Sequence, residues 1–262
     1  MRRTCLTFAL VFLCIFPFKA QTVTAISAPE RDSQALQTLG LAIQALGGQA
    51  AWNSIHSSDV QGTFAKGSVT AGSEIHWVDT WSKGGQMRRS RRDPSGQMKT
   101  FTEDSEAASS QSSAQSSKTR QPKYDPFVQL LTHMPGAALV FSAKDRYSVT
   151  LAQSPPKEKP ADCIEIKKDE KSLLSGGVEA TLCFDKETHL PAYARLMLAS
   201  LESPSRRWPE RIQYGAFQRV QGVLVPGTVI VTNPVGQKTT YTFSSIVLNP
   251  ENPQVSAPGD EQ

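Results

Sequence analysis

The sequence predicts a mainly β domain with helices, an α+β fold in which one long antiparallel sheet curls around helical segments. Three observations point there. Ser, Gly and Pro are frequent and turn signals are closely spaced, which favours strands over a helix bundle. Extended apolar spacing of helical period is confined to two segments. The chain of 262 residues is long enough for a sizeable core, and all-β domains of about 200–250 residues are commonly single.

The first 25 residues read as a removable export signal. Arg2 and Arg3 make a positive n-region, Cys5 to Phe16 an apolar h-region, and Val23-Thr24-Ala25 the small residues of a cleavage site, placing the cut after Ala25. The apolar run is shorter than the roughly 20 residues a spanning helix needs. An uncleaved anchor is the alternative. Lipidation at Cys14 fits poorly, because bulky Leu13 precedes it and Cys14 sits inside the apolar core. The expected location is the periplasm or outside the cell.

The chain carries 28 Lys and Arg against 24 Asp and Glu. Arg2, Arg3 and Lys19 leave with the signal, so the mature chain is close to neutral and carries no nucleic-acid footprint. Arg88, Arg89, Arg91 and Arg92 form a local basic cluster. It reads as a solvated strand edge and turn, since charged side chains guard edges. Contact with anionic headgroups or an acidic partner is the other reading.

From Arg31 to Ile55 the pattern is helical. Leu36, Leu39, Ile43 and Leu46 make one apolar stripe, Asp32 or Ser33 can cap it, and Gly47-Gly48 separates a short second helix around Trp52. Alternation then marks strands at Asp59–Phe64, at Ile75–Trp81, at Gln86–Arg91 and at Gln97–Glu103, the last two split by the turn Asp93-Pro94-Ser95-Gly96. Four strands in a meander is the economical arrangement. Residues 105–121 are rich in Ser, Gln and Ala without apolar periodicity, the composition of a mobile loop. Asp125-Pro126 looks like a helix start and Pro135-Gly136 like its end. About seven further strands follow, from Tyr147–Leu151 to Thr239–Leu248, and residues 251–262 form a polar, Pro-rich tail. The single domain thus covers residues 26–250.

Cys163 and Cys183 survive cleavage, each in a strand-like run, with Ser175-Gly176-Gly177 between them. An antiparallel hairpin would bring the sulfurs together, and an oxidising compartment favours the disulfide over two free buried thiols.

Catalytic chemistry is not legible. His56, His76, His133 and His189 are scattered without metal-ligand spacing, and no nucleophile elbow or phosphate-cradling loop occurs. Glu74 and Asp79 near His76 are commonplace on a strand. No catalytic residue, metal or cofactor is therefore expected. Trp77, Trp81 and Phe101 suit either ordinary core or the stacking of a ligand.

Several segments together resemble the LolA-like proteins of bacterial envelopes, the outer-membrane lipoprotein carriers and their relatives. Ala45-Leu46-Gly47-Gly48 with Trp52-Asn53-Ser54-Ile55 and Asp59-Val60-Gln61-Gly62-Thr63 is similar to the family's start. Phe184-Asp185-Lys186-Glu187-Thr188-His189-Leu190-Pro191 resembles its Asp-x-x-Thr-Gly-Leu-Pro hairpin, with His189 in place of the glycine. Tyr214-Gly215-Ala216-Phe217 and Val220 to Pro226 resemble its pair of C-terminal strands. The resemblance implies a half-open antiparallel β-barrel of about eleven strands, covered by the N-terminal helix and a short central helix, whose apolar cavity holds a lipid or lipoprotein acyl chain.

Period-two alternation then nominates Phe64, Ile75, Trp77, Phe101 and Met197 as lining the cavity, under the stripe Leu36, Leu39, Ile43 and Leu46. A solid core made by the same side chains is the competing case. The function this supports is non-catalytic binding of a lipid or acyl chain, with an envelope protein as a further candidate partner. An envelope sensor or scaffold of the same fold without cargo is the alternative, and an exported hydrolase ranks last.

Overall fold

The computed structural model describes residues 28–67, 73–81, 87–92, 98–103, 126–153, 161–168, 179–199 and 207–251. The export signal, the Ser-rich segment 105–121, the Asp93–Gly96 and Ser175–Gly177 turns, Asp125 and all but the first residue of the tail lie outside the described residues.

Helix α1 (Ser33–Ala45) starts where the sequence places it: Asp32 Oδ1 accepts a hydrogen bond from the Ala35 amide at 2.8 Å. Leu39, Ile43 and Leu46 of its stripe are buried, with Leu39 and Leu46 at 2% and 0% exposure, and Leu36 is partly buried. Each such leucine contributes about 1.5–3 kcal/mol. Gly47 and Gly48 then take φ of 119° and 90°, ending α1 and turning the chain into α2 (Gln49–Ser54). A Cβ on Gly47 would come within 2.9 Å of the Gly222 oxygen, so α1 ends directly on a hairpin of the sheet. The Leu46 carbonyl, at the end of α1, accepts from Leu224 N at 2.9 Å and from Trp52 Nε1 at 3.1 Å.

Among the described residues eleven strands form one antiparallel sheet. In chain order they are β1 (Ser57–Lys66), β2 (Ser73–Trp81), β3 (Met87–Arg92), β4 (Met98–Glu103), β5 (Tyr147–Leu151), β6 (Ala161–Lys168), β7 (Glu179–Asp185), β8 (Pro191–Ala199), β9 (Arg207–Val220), β10 (Val223–Thr232) and β11 (Lys238–Leu248). Their spatial order is β4-β3-β2-β1-β11-β10-β9-β8-β7-β6-β5, so two meanders join where β1 pairs with β11. The register slips at Gln61/Gly62, and a Cβ on Gly62 would overlap the Thr242 carbonyl. Such a bulge bends a sheet. The sheet does not close: β4 and β5 are its ends. At the β5 end the N-terminal segment adds a short parallel bridge, with Val149 N donating to Glu30 O and Asp32 N to Val149 O, both at 2.8 Å.

Between the two meanders stand α3 (Pro126–His133) and α4 (Pro135–Ser142). The sequence reading ended the helical segment at Pro135-Gly136. Instead Pro135 opens α4, in the first-turn position where its missing N–H is no loss. Every residue of α4 is buried, so the helix has no polar face and leaves no periodic signal. Gly136 permits its approach, since a Cβ there would overlap the Trp52 indole. Because Pro135 cannot donate to Leu131, four residues earlier, the Tyr214 hydroxyl donates to the Leu131 carbonyl at 2.7 Å.

One hydrophobic cluster runs along the inner face from Met87 on β3 to Val149 on β5, taking in α1, α3 and α4. The sheet therefore wraps the helices as a half-open barrel. The N-terminal and central helices cover the sheet as expected: α1 packs on β5, β6 and α4, and α3 and α4 pack toward β10 in the same core. On the outer face Cys163 and Cys183 stand directly opposite each other across β6 and β7 and are joined as a disulfide. Tyr193 packs against them. Closing a loop of 20 residues stabilises by about 3 kcal/mol in the chain-entropy picture.

Candidate ligand-binding face

Strand β2 alternates about its axis, and Ile75, Trp77, Asp79 and Trp81 share the inner face. Beside Asp79 on β3 lies Arg89, whose Nε and Nη2 donate to Asp79 Oδ1 and Oδ2 at 2.7 and 2.9 Å. This is the paired geometry in which guanidinium and carboxylate bind most strongly. From α3, His133 Nε2 approaches Asp79 Oδ2 to 2.7 Å, and Arg89 Nη2 reaches the Gln129 carbonyl at 3.5 Å. Asp79 and His133 are both fully buried. Three polar side chains thus tie α3 to β2 and β3 inside an apolar interior.

The electrostatics follow from burial and pairing. Desolvation works against the charge on Asp79, but the Arg89 guanidinium and the His133 ring outweigh it and hold the carboxyl well below the usual carboxylate range. Burial pushes His133 below the ordinary imidazole value, against the pull of Asp79. His133 Nε2 thus stands beside the ionised Asp79 as a close polar contact that does not meet hydrogen-bond geometry. Asp79 and His133 are both sealed from solvent where α3 meets β2.

The basic cluster read as a solvated edge is therefore divided. Arg88 is exposed, whereas Arg89 turns inward with its side chain 13% exposed. His76 and Asp79, close in sequence, point to opposite faces. His76 Nε2 lies 3.0 Å from Asp59 Oδ1 on the outer side.

Next to the triad runs an aromatic row. The Trp77 ring stands 5.4 Å from His133, 5.4 Å from Tyr241 and 6.0 Å from Phe243, and Tyr241 is 6.1 Å from Phe64. Trp77 also carries the Arg89 guanidinium 5.5 Å from its centroid. Trp77 and Phe243 are buried, while Phe64 and Tyr241 at the far end are half-buried.

Of the five nominated residues, Phe64, Ile75 and Trp77 meet on this inner face. Phe101 pairs with Arg89 across β3 and β4, and its side chain lies outside the described residues. Met197 is corrected: Ala194 and Leu196 are the inward residues of β8, so Met197 falls on the outer face with Tyr193 and Arg195. The partnership of Asp79 with His133 was missed. Those residues are far apart in sequence and carry no local motif. Among the described residues no group of His, Cys, Asp or Glu gathers as a metal site would need.

No family model and no curated protein matches the chain. Among solved structures it is similar to a LolA superfamily protein from Nitrosomonas europaea, at 16% identity over 82% of this chain and 94% of that chain, with a TM-score of 0.49. It is also similar to an outer membrane lipoprotein-sorting protein domain from Vibrio parahaemolyticus, at 10% identity over 82% and 93% of the two chains, with a TM-score of 0.45. A DUF1329 family protein from Desulfovibrio piger is similar at 12% identity over 81% and 92%, with a TM-score of 0.44. These likenesses are ones of fold, and the half-open barrel itself rests on the strand order and register above.

Proposed function

We propose that this chain is an exported, non-catalytic envelope protein that holds an acyl chain of a lipid or lipoprotein on the inner face of its sheet. The observation that carries the reading is the aromatic row whose buried end, Trp77 and Phe243, is continuous with the half-buried Tyr241 and Phe64. An acyl chain laid along that row gains about 0.8 kcal/mol for each methylene removed from water. The signal-like first 25 residues and the LolA-like turn motifs support export and the envelope setting. Native mass spectrometry with lipid extraction on envelope-purified protein tests the proposal. Bound acyl lipid is the expected result, and lipid-free protein by both methods overturns it.

One observation favours a second reading, an envelope scaffold without cargo. Phe127, Leu130, Leu131 and Met134 are wholly buried where α3 and its end pack into the half-barrel, so much of the inner face is filled by the chain's own side chains. Lipid-free protein in the same experiment is what that reading expects.

A further inference from the structure

One end of the half-barrel carries exposed apolar groups beside exposed cations. The turn between β10 and β11 stands there with Val235 at its tip, 85% exposed. The last register pair of β9 with β10 is Arg211 with Thr232, so Trp208, earlier on β9, runs past the end of β10 alongside that turn. Trp208 is 39% exposed, whereas Trp52, Trp77 and Trp81 are buried. Pro209 and Pro234 are exposed as well. From this rim we infer a docking surface for an anionic lipid bilayer, with Val235 and Trp208 entering the interface and Lys66 and Lys238 meeting the headgroups.

A single exposed valine is ordinary on a protein surface. What sets Val235 apart is its fixed presentation and its company. Asn233 Oδ1 accepts from the Val235 and Gln237 amides at 3.2 and 2.9 Å, Asn233 N donates to Gln237 O at 3.0 Å, and Gly236 N donates to Asn233 O at 2.9 Å. A turn ordered in advance loses little conformational freedom on docking. Trp208 adds a side chain with an apolar body and a polar N–H, the combination that suits the boundary between headgroups and acyl chains.

Charge selects an anionic surface. Lys66 ends β1 opposite Thr239, Lys238 opens β11 opposite Thr232, and Gly67 N donates to Lys238 O at 2.9 Å. The two cations thus stand side by side at the base of the turn. Both are exposed, and neither has an ion-pair partner among the described residues. From Val223 to Leu248 the chain contains no Asp or Glu. Glu210, the acid of β9, lies opposite the inward Leu196, and burial raises its pKa, which disfavours its charge. Glu74 on β2 is exposed but pairs with Thr63, set back from Lys66 along β1. Phe64 and Tyr241 pair close to Lys66, so a docked rim also turns the half-buried end of the aromatic row toward the bilayer.

The docking surface does not depend on an acyl cargo, and its test keeps the two apart. Envelope-purified protein is sedimented with vesicles of phosphatidylcholine mixed with phosphatidylglycerol, and with vesicles of phosphatidylcholine alone. Co-sedimentation with the anionic vesicles is expected, weakening as salt rises. Lys66→Gln and Lys238→Gln should each weaken it about fivefold, and Val235→Ser by about the same factor. These three side chains are exposed, and near-UV circular dichroism checks that each variant keeps the native fold. Anionic vesicles with brominated acyl chains should quench tryptophan fluorescence, and Trp208→Phe should remove the quenching. Absence from the anionic pellet overturns the inference, as does equal binding to neutral vesicles or binding indifferent to all three exposed substitutions. Quenching that persists in Trp208→Phe puts the lipid against the buried tryptophans instead, which overturns the rim and leaves the acyl-chain proposal standing. Vesicle binding by protein that yields no extracted lipid supports the rim and counts against the cargo alone.

Discussion

At the residue scale, the turn after β7 shows how a local motif tolerates an unexpected side chain. Asp185 Oδ1 accepts from Glu187 N, Thr188 N and Thr188 Oγ1 at 3.1, 2.9 and 2.9 Å, which shapes the turn. His189 then adopts φ of 56°, the left-handed conformation that glycine takes most readily. That conformation costs a non-glycine residue about 1–2 kcal/mol. His189→Gly should therefore raise stability by about 1 kcal/mol, less than the full strain because glycine loses more entropy on folding. An unchanged or lower urea midpoint would contradict the strain argument. Gly136 is the opposite case. Gly136→Ala forces a methyl group into the Trp52 indole and should cost on the order of 1–3 kcal/mol by overpacking. Turn chemistry of the first kind is legible because its partners lie within a few residues. The Asp79–His133 contact was not, because nothing near either residue announces the other.

At the scale of elements, α3 and α4 are where sequence reasoning lost resolution. Proline and glycine usually punctuate, and at Pro135-Gly136 they do, but between two helices. The second is buried on all sides and so has no periodicity to read. What replaces the missing bond at the junction is Tyr214, whose hydroxyl burial pushes well above the ordinary phenol range. Tyr214→Phe leaves the Leu131 carbonyl unsatisfied and should cost about 1–3 kcal/mol in denaturant unfolding. The tie between α3 and the sheet carries a pH dependence. His133 has its folded pKa depressed below 6.5 by burial, so the unfolded chain binds the proton more readily. Its contribution is fully present above pH 6.5 and is lost as pH falls from there through the folded value. Asp79, also depressed, adds a loss in the same direction at far lower pH. Stability measured in urea should fall between pH 8 and pH 5, and His133→Gln should flatten that slope. A parallel fall in the variant would remove His133 as the cause.

For the whole molecule, strand identity was legible and strand order was not. Alternation and turn signals locate strands, but the pairing of β1 with β11 joins segments at opposite ends of the chain and has no local signature. That pairing brings Phe64 and Trp77 from the first meander against Tyr241 and Phe243 from the last, so the row exists only in the assembled sheet. The same assembly separates two roles by depth. Trp77 is 8% exposed and packed by rings on several sides, so Trp77→Ala opens a cavity and should cost about 3–5 kcal/mol. Tyr241 is half-buried, so Tyr241→Ala removes less buried apolar surface and should cost less. If an acyl chain lies along the row, the ranking for bound lipid differs from the ranking for stability: Tyr241→Ala, less destabilised than Trp77→Ala, should still co-purify with less lipid. Unfolding and extracted lipid measured on the same two variants give both rankings. Unchanged lipid content in a folded Tyr241→Ala protein would move the cargo away from this face, whatever Trp77 does for the core.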